Sequence, residues 1–129
     1  MGYTAGVFDL LHHGHVNYLK ACALHCCCLI VGVDVDELVY FKKGPLRPIQ
    51  SHEIRLAQVL EVSCVQTGFF KKCSAEEILP SLRPDLYFIP ENRELGQKRK
   101  TLIQKLGIEL VRIPYTEDIS TSSLIARDR

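Results

Sequence analysis

The 129-residue chain has no excess of either charge: 16 Lys and Arg stand against 15 Asp and Glu, a formal net charge of +1. So even a balance offers no general attraction for nucleic acid or for an anionic membrane, and neither partner is expected. No apolar run reaches the length that spans a bilayer. The N-terminus lacks the charged stretch followed by a long apolar stretch that marks a secretion signal, so a cytoplasmic setting is expected. There is no internal repeat, linker or low-complexity tract, and a single domain over residues 1–129 is expected. A nucleophile arranged as Ser-His-Asp or Cys-His is also missing. The 6 cysteines lack finger-like ligand spacing. Three of them, Cys26-Cys27-Cys28, run into the apolar Leu29-Ile30-Val31. Adjacent strand residues point to opposite faces, so these thiols do not converge on a metal. They read as small buried residues kept reduced.

What is present is an alternation of short β-rich runs with helical ones. Strands are expected over Tyr3–Phe8, Cys28–Val33, Val62–Thr67, Asp85–Ile89 and Ile108–Ile113. Helices are expected over Gly14–Leu24, from Ser51 as cap through Ile54, Ala57 and Leu60, over Ala75–Leu82 after Ser74, over Glu94–Leu106 before Gly107, and over Ser120–Arg127. Asp34 to Gln50, with Lys42, Lys43, Gly44, Pro45 and Pro48, reads as loop. This order predicts an α/β fold, a Rossmann-like doubly wound parallel sheet of about five strands. Ligands of such sheets bind beyond the carboxyl ends of the strands.

His12-His13-Gly14-His15 falls at that end of the first strand, inside Gly6-Val7-Phe8-Asp9-Leu10-Leu11. A strand-to-helix turn aims backbone N–H groups and a positive helix end at whatever lies above it. Residues three apart share a helix face, so His12 and His15 point the same way. The design suits phosphate, with donors where charge builds up in phosphoryl transfer. Asp9 either braces the turn or orients a histidine or a Mg²⁺-bound water.

The segment Gly6 to His15 resembles the signature of the nucleotidylyltransferase superfamily, and within it the cytidylyltransferase family. It is most similar to glycerol-3-phosphate cytidylyltransferases. Lys42-Lys43-Gly44-Pro45-Leu46-Arg47-Pro48 is also similar to heptose-phosphate adenylyltransferases. Near the C-terminus, Ile119-Ser120-Thr121-Ser122 resembles the family's Ile-Ser-Thr-Thr element.

The resemblance implies that His12, His15 and Lys43 are catalytic. It implies nucleotide contacts from Gly6, Val7, Phe8, Asp9, Gly14 and Arg55. Ser120, Thr121 and Ser122 would hold the leaving pyrophosphate. Lys42 and Arg47 are alternatives to Lys43 and Arg55. Asp36-Glu37 matches the acidic pair after the family's second strand. CTP is the expected donor, a small polyol or amino-alcohol phosphate the acceptor, and Mg²⁺ the companion of the triphosphate. The alternatives are an ATP-dependent enzyme acting on a sugar phosphate and a nucleotide-binding protein without turnover. A homodimer is implied too. Two departures stand out. Pro90-Glu91-Asn92 replaces a glycine-led triplet, and Tyr115 replaces an arginine whose cation is then either missing or supplied by Arg112 or Lys98. The run Lys98-Arg99-Lys100 reads as solvated helix surface.

Overall fold

The computed structural model describes residues 1–115. Five strands form one parallel sheet: β1 (Gly2–Gly6), β2 (Leu29–Asp34), β3 (Thr67–Lys71), β4 (Leu86–Pro90) and β5 (Glu109–Ile113). Their spatial order is β3-β2-β1-β4-β5. The chain therefore works outward from β1 to one edge, then crosses over and works outward to the other. The topological switch lies between β1 and β4, as the doubly wound reading requires.

Five helices cover the sheet: α1 (His13–Ala23), α2 (Asp36–Lys43), α3 (His52–Leu60), α4 (Ala75–Leu82) and α5 (Gln97–Leu106). Strand side chains alternate between faces, and two cores result. Tyr18, Leu19 and Cys22 of α1 and Val59 of α3 pack with Leu29, Val31, Val33 and Phe88. Leu79 of α4 and Ile103 of α5 pack with Tyr3, Tyr87 and Ile89 on the other face. No described helix is long and apolar enough to cross a membrane.

The structure corrects three expectations. The span read as loop after β2 contains α2. Asp36 and Glu37 occupy its first turn and Lys42 and Lys43 its last, which complements the helix dipole, and Val39 anchors it. Gly44, at φ +92, ends it. The strand expected over Val62–Thr67 begins only at Thr67, which pairs with Ile30. Val62 and Val65 are buried in the turn before it, so their apolarity reflects anchoring rather than strand pairing. Finally, the thiols are free, but only Cys22 is buried, and Cys27 is exposed. Burial pushes the Cys22 thiol up to about 12. The helix expected over Ser120–Arg127 lies outside the described residues.

Candidate active site

A cavity of about 370 Å³ opens over the carboxyl ends of the strands. Gly6, Asp34, Lys71 and Pro90 close β1, β2, β3 and β4, and all four line it. On the α1 side it is walled by Phe8, His15, Tyr18 and Tyr115. Six cations line it: Lys42, Lys43, Arg47, Lys71, Arg93 and Arg99.

The histidine turn is built by reciprocal capping. His12 is the N-cap of α1, and its Nδ1 accepts from the Gly14 N–H at 3.0 Å. The His12 N–H in turn donates to Nδ1 of His15 at 3.3 Å. Imidazoles here do the work that Ser and Glu do in an ordinary capping box. Because both Nδ1 atoms accept, the proton of each neutral ring sits on Nε2. Burial, with help from His12 and Lys43, pushes His15 down to about 4. Burial and His13 also lower His12. Both rings are thus neutral Nε2–H donors near pH 7. Nε2 of His12 is buried and has no hydrogen-bond partner among the described residues, an arrangement that costs free energy until an acceptor arrives. Gly14 is buried in the first turn of α1, its N–H spent on His12, and neither residue is among those lining the cavity.

Phe8 and Leu10 both sit in the left-handed region, at φ +53 and +52, which bulky residues rarely occupy. The Phe8 ring folds back over Gly6: a Cβ on Gly6 would lie 3.1 Å from its Cε2. The same ring meets His15 edge-on at 5.6 Å.

What holds this turn is the segment before α3. The Asp9 carboxylate accepts from the N–H groups of Ile49 at 2.7 Å and Gln50 at 2.9 Å. Gln50 Oε1 accepts from the Leu10 N–H at 3.0 Å. Of the two readings of Asp9, these bonds supply the brace. Arg55 does not line the cavity. It is fully buried, and donates to the carbonyls of Gln50 and Val7 and to Asp36 Oδ1 at 2.6 Å. The expected nucleotide contact is a strut tying β1, α2 and α3 together. The cation nearest in role is Arg47, which does line the cavity.

Lys43 lines the cavity, and burial, with Arg47 and Arg93 nearby, lowers its ammonium pKa. The cation sought in place of Tyr115 comes from neither Arg112 nor Lys98. Arg112 donates to the carbonyls of Glu91 and Arg93 and so fixes the loop that presents Arg93 to the cavity. Arg99 is not solvated surface either. It pairs with both Glu76 oxygens, at 3.0 and 3.1 Å, and reaches the Tyr87 hydroxyl at 3.5 Å. Burial works against its charge, but Glu76 and Tyr87 together outweigh that and raise its pKa. Sequence reasoning missed Arg93, Arg99 and Gln50. Their only signal was polarity within segments that read as loop or exposed helix. Ser120, Thr121 and Ser122 lie outside the described residues.

Residues 3–127 match the cytidylyltransferase-like family. The chain belongs to that family, and it is a nucleotidyltransferase. Across 98% of its length it is 34% identical to a D-beta-D-heptose 1-phosphate adenylyltransferase of Bordetella bronchiseptica, of which it spans 80%. It is 31% identical to the bifunctional protein HldE of Hyphomonas neptunium, and spans 26% of that longer protein. Among solved structures it is similar to a lipopolysaccharide core biosynthesis protein from Thermoplasma volcanium. That match has a TM-score of 0.78 and 27% identity, and covers 89% of this chain and 96% of the other. These relatives favour the ATP-using alternative over the CTP expectation.

Proposed function

We propose that this nucleotidyltransferase moves an adenylyl group from ATP to the phosphate of a sugar phosphate. The observation that carries this reading is the 34% identity over 98% of the chain to a heptose 1-phosphate adenylyltransferase. The cavity agrees with it in kind. Six lining cations suit a triphosphate together with an acceptor phosphate.

An oxygen of the acceptor's phosphate attacks the α-phosphorus of ATP in line. The bond from that phosphorus to the β-phosphate oxygen breaks, and pyrophosphate leaves with the electron pair. A phosphate monoester is already anionic, so no general base is needed. Catalysis is positioning and charge stabilisation. His15, neutral and already a donor at Nε2, gives a hydrogen bond to a phosphate oxygen as charge shifts toward the leaving group. His12 does not line the cavity, and its buried Nε2–H serves as a second donor only where an acceptor reaches it. Lys43, with Arg47 and Arg93, neutralises the phosphates and draws the acceptor in.

Mg²⁺ would arrive on the triphosphate. Asp9 and Asp34 are the lining carboxylates. Asp9 holds backbone N–H groups and Asp34 lies between two lysines. The described residues contain no cluster of three or more His, Cys, Asp or Glu suited to a metal. Phosphate oxygens and water would supply most of its ligands, a common pattern for Mg²⁺, and the ion would supply charge neutralisation for the leaving group.

The test is pyrophosphate release with Mg²⁺, comparing ATP and CTP against sugar, polyol and amino-alcohol phosphates. Release with ATP and a sugar phosphate is expected. Release only with CTP and a polyol or amino-alcohol phosphate would return the chain to the CTP expectation. Triphosphate binding without release from any pair would overturn transfer.

A further inference from the structure

The part of the cavity on the α4 and α5 face has chemistry of its own. Asp34 ends β2, is 4% exposed, and is paired in register with Lys71 at the end of β3. Lys42 Nζ lies 3.4 Å from its Oδ2, and Lys71 Nζ lies 3.5 Å from its Oδ1. Both separations are long for a charge-assisted hydrogen bond, which closes to about 2.7–2.9 Å. Oδ1 has no hydrogen-bond partner among the described residues. A buried carboxylate oxygen left so is costly. Asp34 nevertheless lines the cavity, beside Tyr87 and Arg99.

Three kinds of ligand group can be weighed against this compartment. An ammonium group would meet Lys42, Lys71 and Arg99 at once. A second anion would meet the Asp34 carboxylate, whose Oδ1 has only the long ion pair to Lys71. A hydroxyl fits both, because it donates to the carboxylate oxygen and accepts from a lysine. Tyr87 adds a flat ring with a hydroxyl, which Arg99 reaches.

We infer that Asp34 is the specificity-determining residue for the acceptor, its Oδ1 accepting hydrogen bonds from the hydroxyls of a polyhydroxylated phosphate while Lys42 and Lys71 flank it. The assignment rests on the transfer reading above, since it makes this compartment the acceptor's. It excludes amino-alcohol phosphates and accounts for that exclusion by charge.

Calorimetric titration of the full chain with hexose phosphates and with phosphoethanolamine tests it. The wild type is expected to bind at least one hexose phosphate roughly tenfold or more tightly than phosphoethanolamine, the scale of a hydrogen bond to a charged group. In Asp34→Ala the ratio of the two affinities should collapse toward one. Circular dichroism checks that the variant is folded. Should it not fold, Asp34→Asn keeps the shape and a neutral acceptor atom, and the ratio should fall severalfold. A wild type without the preference, or a preference that survives in the folded variant, overturns the assignment. Pyrophosphate release on the preferred hexose phosphate is read separately. A preference lost with Asp34, but no release with ATP or CTP, would keep Asp34 as the group that selects the polyhydroxylated phosphate and sink transfer.

Discussion

The His12 and His15 rings stack with centroids 4.0 Å apart and planes 29° apart, each with its Nδ1 holding a backbone N–H of the turn. Stacking and capping together set tautomer and direction before any substrate arrives. For the proposed transfer this would be preorganisation, with a donor whose tautomer needs no change as charge shifts.

His15→Ala removes one such donor and half of the reciprocal cap. Turnover in the pyrophosphate assay should fall by roughly a hundredfold or more. Stability should fall by only about 1 kcal/mol, the worth of a cap. Near-normal turnover in a folded variant would remove His15 from the catalytic set.

The low value for His15 also predicts a pH effect on stability. The folded ring titrates near 4 against an ordinary 6.5. Between those values the unfolded chain binds the proton and the folded one resists it, so stability rises with pH. As pH falls from 6.5 to about 4, His15 should withdraw on the order of 3 kcal/mol. Thermal melts across that window should show the loss, and His15→Gln should flatten it. An unchanged slope would mean that the ring is not held neutral by burial.

Arg55 and Arg93 should separate cleanly. Arg55→Met leaves Asp36 and the carbonyls of Val7 and Gln50 without their donor, and should cost about 3 kcal/mol in denaturant unfolding. Arg93→Ala, on an exposed loop residue that lines the cavity, should leave the melt alone and raise KM for the triphosphate. A reversal of the two results would restore Arg55 as the ligand.

Gly6→Ala places a methyl 3.1 Å from the Phe8 ring, which must then move. That ring also touches His15, so nucleotide-dependent thermal stabilisation and turnover should fall together. A variant with both intact would show that the fit of Phe8 over Gly6 has slack.

Much of the framework was legible without coordinates. Ser51 caps α3 through its hydroxyl, as read. Gly107 closes α5 in the left-handed region at φ +71, and the run Leu29-Ile30-Val31 is a buried central strand. Where the reading slipped, local chemistry served another purpose. Val62 and Val65 are apolar because a turn is pinned to the core. Arg55 is basic because acceptors from two other segments, Val7 and Asp36, meet it beside the nearby Gln50 carbonyl. Arg99 sits in a charged run because Glu76, 23 positions earlier, faces it across the α4–α5 contact.

By itself the sequence determined the alternation of strands and helices, the histidine turn at the end of β1 and the family it signals. These depend on periodicity, caps and residues adjacent in the chain. Tertiary structure alone decided that Asp9, Gln50 and Arg55 brace the turn, that Arg93 and Arg99 supply cations, and that Asp34 keeps one buried oxygen without a hydrogen-bond partner among the described residues. Each of these depends on groups brought together across the sheet. Hydrogen bonding, burial and charge act over a few ångströms of space, whatever the separation along the chain.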